Sequence, residues 1–219
     1  VRVLAPVPWF PFTHARWGEY AHMAATPNRE LRNGVEVCHP GYPLLPKVGM
    51  TTAPLAIALA SLQSMKRLIE EGFDFDLIDA HYYYPDGVAA AILAQHFQKP
   101  LAITARGTDL NLLPQHTLPR MMMQWASRKA DASIGVCAAL VDVLRGWGVP
   151  DSKLSVIRNG VDLCRFRPLP AQGDDAEIHV RGRPLLLSVG HLVERKGLDL
   201  VVSAMPAVLA QHPHSHLAI

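Results

Sequence analysis

Short apolar runs alternate along the chain with longer stretches whose apolar positions recur at helical spacing, and each run gives way to Pro, Gly, Asn or Asp. Residues 1–5 and 35–38 are the first two expected strands. A helix is expected over 55–71, with Gly72 as its stop and Arg67, Glu70 and Glu71 on its wet side. A strand over 75–81, an Ala-rich helix over 88–97 and a strand over 101–104 introduced by Pro100 follow. Then come a helix over 119–130, a strand over 131–136, a helix over 138–147 ended by Gly148 and a strand over 154–157. Strands separated by crossover helices make a parallel sheet covered on both faces, so the fold class is α/β, a doubly wound, Rossmann-like parallel sheet.

Past Asp162 the texture changes. Arg165, Arg167, Pro168, Pro170, Gly173, Asp174, Asp175 and Glu177 form a polar stretch without apolar period, which reads as a linker. A new strand at 184–189, a helix at 198–211 and a strand opening at 216 follow it. The division expected is a first domain over 1–167, a linker over 168–183 and the start of a second Rossmann-like domain over 184–219. One βαβ unit cannot bury its own faces, so this last piece reads as a truncated domain.

Composition narrows the class. Of 219 residues 49% are hydrophobic, which excludes disorder and suffices for a sizeable core. The formal charge of +2 is too slight for a nucleic-acid footprint. Cys38, Cys137 and Cys164 lie far apart with no CxxC pair, so neither a disulfide framework nor a thiolate zinc site is indicated, and a reducing, cytoplasmic setting is expected. The start lacks the pattern of a signal peptide. The uncharged stretch 48–65 holds Thr51, Thr52, Pro54, Ser61, Gln63 and Ser64, too polar to span a bilayer, and 56–62 reads as a buried helix. Peripheral contact with the inner face of the cell membrane stays open.

In an open parallel sheet ligands sit outside the carboxyl ends of the strands. The loops there are polar: His81-Tyr82-Tyr83-Tyr84-Pro85-Asp86-Gly87, then Arg106-Gly107-Thr108-Asp109, then Arg158-Asn159-Gly160-Val161-Asp162, then Gly190-His191-Leu192-Val193-Glu194-Arg195-Lys196-Gly197. In the last of these, two glycines bracket a basic turn leading into a helix, whose open N–H groups together with Lys196 suit a phosphate. The alternating His212, His214 and His216 surround Pro213 and read as a helix end, not a metal site. Ser133 and Ser155 fall inside strands and outside any G-x-S-x-G elbow, which leaves a hydrolase triad without support.

Taken in order, the four loops resemble glycosyltransferase family 4, the retaining group with the GT-B fold. The strongest carriers are Asn159-Gly160-Val161-Asp162 with Phe166 and Pro168, and 188–197 with Lys196. His81 with Pro85 and Gly87, and 106–109, support them.

The resemblance implies two Rossmann-like domains facing across a cleft, the first holding a saccharide or lipid-linked acceptor and the second a nucleoside diphosphate sugar. Lys196 falls on the family's pyrophosphate-binding Lys, with Gly190, His191 and Gly197 around it; His191 stands where the family usually has Arg. His81 matches a His near the transferred sugar. Arg106, Gly107, Asp109 and Asn159 fall on the acceptor and cleft side, Asp109 hydrogen-bonding loop backbone and Asn159 serving a tight turn. The nucleotide sugar is a co-substrate, with no metal or resident cofactor and no nucleic acid among the partners. Relatives of this kind begin with an earlier strand and a glycine-bearing loop, and later carry a glutamate pair. Residues 1–5 look like their second strand and the chain stops before the pair, so these residues alone are expected to be inactive. Two readings compete: a nucleotide-sugar epimerase of the same fold, and a non-catalytic nucleotide-sugar-binding subunit.

Overall fold

The computed structural model describes the chain except residues 13, 15, 17, 45–48 and 169–183. Two compact units are formed, Val1–Gly160 and Val161–Ile219. From residue 169 onward the expected linker lies outside the described residues.

The first unit opens with β1 (Arg2–Leu4), β2 (Val7–Pro8), α1 (Glu19–Ala24), β3 (Arg29–Arg32), β4 (Val35–Cys38) and β5 (Gly41–Tyr42). β1 pairs parallel with β4, and β3 and β4 form an antiparallel hairpin, giving the order β1-β4-β3. The hairpin departs from the sequence expectation, which left 29–32 unassigned. Its turn is Asn33-Gly34, with φ of 49° and 79°, the left-handed pair that matches strand twist in a two-residue hairpin. β3 itself is almost wholly charged, so no apolar alternation announces it. Arg29 forks onto the Glu71 carboxylate at 2.9 and 3.1 Å, and the His39 ring lies between the Ala5 carbonyl at 3.0 Å and Glu30 at 2.9 Å, so polar ties hold what apolar packing does not.

Next comes α2 (Gly49–Glu70), which begins six residues before the expected start at 55 and contains Pro54. A proline inside a helix removes the N–H that would bond the carbonyl four residues back, here that of Met50. The Tyr84 hydroxyl donates to that Met50 carbonyl, so the helix carries Pro54 without an orphaned acceptor.

The main sheet follows as β6 (Ile78–His81), α3 (Val88–Phe97), β7 (Leu101–Ala105), α4 (Thr108–Asn111), α5 (Thr117–Lys129), β8 (Ala132–Gly135), α6 (Ala138–Gly146) and β9 (Leu154–Val156). All four strands are parallel and lie in chain order, β6-β7-β8-β9. In β7, Leu101, Ile103 and Ala105 are buried on one face and Thr104 on the other, as expected for a strand with helices over both faces.

The small side chains of α3 allow two faces to be buried at once. Ala90, Ala91 and Ala94 join the sheet core with Ile103 and Met123, while Ala89 and Leu93 meet Ile57, Ala58 and Met65 of α2. Against β8, Leu140 and Leu144 of α6 fill the end of the same core. A Cβ on Gly135 would stand 2.8 Å from Val141 Cγ2 and 3.0 Å from the Cys137 carbonyl, so the approach of α6 requires glycine there.

β1 and β6 each end a sheet, and a cavity of about 830 Å³ lies between them, lined by both strands and by Ile57, Met65, Ala89 and Leu93. Val3 of β1, which lines this cavity, is 37% exposed.

The second unit pairs β10 (Leu185–Leu187) parallel with β11 (His216–Ala218) through α7 (Leu198–Gln211), one βαβ unit at the positions the periodicity predicts. Its apolar residues stay outside any core: Leu187, Val189, Leu192 and Leu200 are all exposed.

Candidate functional site

The site is assembled where β6, β7 and β9 end. His81 closes β6, and its next residue, Tyr82, has φ of 86°, a conformation that costs a non-glycine residue about 1–3 kcal/mol. Two backbone bonds hold it there, Tyr82 N–H to the Thr104 carbonyl at 2.8 Å and Gly87 N–H to the Tyr82 carbonyl at 2.9 Å. Gly87 packs closely beneath the loop, since a Cβ there would meet Ile103 Cγ2 at 3.0 Å and the Tyr82 carbonyl at 3.1 Å and those neighbours would have to shift.

Below this loop Tyr83 is completely buried and its hydroxyl shares a 2.6 Å hydrogen bond with Ser133 Oγ of β8. Burial pushes the Tyr83 hydroxyl up to about 12, against the lowering effect of the Ser133 bond.

The loop after β7 is organised by Asp109. Its carboxylate is fully buried and accepts the backbone N–H groups of Gly107 at 2.7 Å, Arg106 at 3.1 Å and, from the neighbouring loop, Tyr83 at 2.8 Å. Gly107, with φ of 136°, turns the chain into α4 so that these donors converge.

Arg106 reaches outward from that loop. Its Nη2 lies 2.7 Å from Nδ1 of His81, and its Nη1 donates to Oδ1 of Asn159 at 2.8 Å. Asp79, two residues before His81 on β6, has Oδ2 3.3 Å from Nε2 of the same ring. Thus the structure brings together His81, Arg106 and Asn159, tied to Gly107 and Asp109 beneath. Asp86 lines the same cavity as His81, and burial pushes its carboxyl above the usual range while its own backbone N–H partly offsets this.

The Gly190–Gly197 loop belongs to the second unit. A 3-10 turn at Glu194–Lys196 ends on Gly197, whose φ of 62° starts α7, and the Gly197 carbonyl takes the N–H groups of Leu200 and Val201. Lys196 and His191 are exposed, and Asp199 sits in the first turn of α7. Among the described residues no group of three His, Cys, Asp or Glu side chains is arranged to hold a metal ion. Nor is any described helix long and apolar enough to cross a membrane. Sequence reasoning missed Asp79, whose signal is its i−2 spacing from His81 on one strand face, and Tyr83, whose partner Ser133 lies fifty residues away.

A parallel α/β sheet with its polar loops gathered at the strands' carboxyl ends defines the class as Rossmann-like, of the GT-B kind. The crystal structure of Anabaena Alr3699/HepE with UDP and glucose superposes with a TM-score of 0.57 at 20% identity, covering 83% of this chain and 47% of that one. A Listeria monocytogenes structure named as a UDP-N-acetylglucosamine 2-epimerase gives 0.50 at 14% identity, covering 99% and 53%. The family model of Glycosyltransferase Family 4 matches residues 14–165, and the chain belongs to that family.

Among curated proteins, the Bacillus subtilis protein named as a teichuronic acid biosynthesis glycosyltransferase, TuaC, is 30% identical over 193 residues, 82% of this chain and 46% of its own length. Glycogen synthase of Mycobacterium tuberculosis is 28% identical over 176 residues, 75% and 41% respectively. The chain therefore spans less than half the length of these relatives.

Proposed function

We propose that the protein is a retaining glycosyltransferase that moves a sugar from a nucleoside diphosphate sugar to a polysaccharide or lipid-linked acceptor. The observation that carries this reading is the bonding of Arg106 to both His81 and Asn159, which collects three strand ends into one polar cluster in a chain of a glycosyltransferase family. Support comes from relatives named for teichuronic acid biosynthesis and for glycogen synthesis, and from a fold neighbour that holds UDP and glucose.

In this reading Lys196, with Gly190, His191 and Gly197, receives the diphosphate, and its cation stabilises the negative charge that builds on the leaving group. His81 holds a hydroxyl of the transferred sugar, while Arg106, Gly107, Asp109 and Asn159 shape the acceptor side. The nucleotide sugar is the co-substrate, and no metal or resident cofactor takes part. The protein works in the cytoplasm. Peripheral contact with the inner membrane face is supported by exposed Trp9 and Phe12 and by Leu55 and Leu59 on α2.

The test uses protein expressed from its complete coding sequence, a panel of nucleoside diphosphate hexoses and a cell-envelope acceptor fraction. Nucleoside diphosphate release that requires acceptor is expected, falling roughly tenfold or more in His81→Ala and in Lys196→Ala. Epimerised donor formed without acceptor would replace this reading with the epimerase one. Donor binding and transfer unchanged in Lys196→Ala would remove the diphosphate assignment.

A further inference from the structure

We propose that Arg106 is a positioning residue that holds the His81 ring as its neutral Nε2–H tautomer, so that His81 serves as a fixed hydrogen-bonding group and not as a proton acceptor. A guanidinium carries only N–H donors and keeps its charge throughout the working pH range. With Nη2 at 2.7 Å, Nδ1 of His81 must offer a lone pair. The proton of a neutral ring is then on Nε2, and there Asp79 Oδ2, an acceptor when ionised, lies at 3.3 Å.

The other neutral tautomer is disfavoured at both ends, and the imidazolium at Nδ1. In the other tautomer an N–H would face an N–H at Nδ1, and a lone pair would face a carboxylate at Nε2. In the imidazolium a second cation would stand within hydrogen-bond distance of the first. Asn159 holds Nη1 of Arg106 at 2.8 Å, and Asp109 holds the backbone N–H at the base of the side chain at 3.1 Å. Asn159 thus acts at one further remove, through Arg106.

This assignment deepens the reading of His81 as the sugar-facing residue, although the tautomer itself does not depend on that reading. With its lone pair engaged by Arg106, Nδ1 takes no proton from an acceptor hydroxyl, and the catalytic value of the ring is orientation alone.

Long-range 1H–15N correlation spectra of the 15N-labelled protein, with His81→Gln identifying the resonance, read the tautomer directly. A lone-pair shift at Nδ1 and a protonated shift at Nε2 are expected. Arg106→Ala should collapse the difference between the two nitrogens through tautomer exchange, and Arg106→Lys should keep part of it. A protonated Nδ1 in the unaltered protein, or unchanged shifts in Arg106→Ala, would overturn the assignment.

With protein from the complete coding sequence, Arg106→Ala should lower kcat roughly tenfold or more while leaving the donor KM within about twofold. A raised donor KM at unchanged kcat would make Arg106 a ligand of the donor and defeat the positioning role. Should acceptor-dependent transfer fail altogether, the spectra still decide the tautomer, so the two readings fail separately.

Discussion

The carboxylate of Asp109 accepts the backbone N–H of Tyr83 at 2.8 Å, joining the loop after β7 to the loop after β6 through a side chain with no exposed surface. His81 and Arg106 lie on either side of that joint, so their meeting depends on a residue that touches neither side chain. Asp109→Ala should leave the N–H groups of Tyr83, Arg106 and Gly107 without an acceptor. Only the Tyr83 N–H is fully buried, and at about 1–3 kcal/mol for such an unmet donor a loss in that range is expected in urea unfolding followed by tryptophan fluorescence. A loss below about 1 kcal/mol would mean that water or a shifted loop replaces the carboxylate.

A double-mutant cycle tests the accommodation of Pro54. Tyr84→Phe removes the hydroxyl that serves the Met50 carbonyl and should cost about 1–2 kcal/mol. In a Pro54→Ala background the new backbone N–H can serve that carbonyl, and the same Tyr84→Phe change should cost distinctly less. Additive costs would show that the hydroxyl matters for packing and not for the helix.

Stability should fall at alkaline pH through Tyr83. Its hydroxyl, pushed up to about 12 by burial, keeps its proton in the folded chain where an unfolded tyrosine near 10 has already lost it. The contribution is complete below about pH 10 and is lost progressively from pH 10 to 12, amounting to roughly 2–3 kcal/mol. Denaturant midpoints at pH 9 and 11.5 measure it. Tyr83→Phe should flatten the decline without abolishing it, because burial also raises Tyr42 and Tyr84.

Gly135→Ala should destabilise by about 1–3 kcal/mol, since the added methyl would press on Val141 of α6 and on the Cys137 carbonyl. Val141→Ala in the same chain should recover part of the loss by making room, measured as a rise in Tm of the double variant over the single one.

The alternation from Ile78 to Val156 was readable because β7 and β8 are interior strands free of charged residues, and because Gly72 and Gly148 end helices with φ of 89° and 85°. What eluded that reading depended on partners distant in sequence. The helix expected from 55 starts at Gly49, and it carries Pro54 because Tyr84 is folded against Met50. Arg29–Arg32 reads as loop because its alternation is of charges, although Asn33-Gly34 carried the hairpin signal. Position at the strands' carboxyl ends singled out His81, Arg106 and Asn159, but no spacing rule says that Arg106 bonds both of the others.

The cavity between β1 and β6 leaves two rows of peptide groups facing an apolar chamber, with no strand between them among the described residues. Such rows template any extended segment that reaches them. An inserted strand could pair on both flanks and weld β3, β4, β1, β6, β7, β8 and β9 into one continuous sheet.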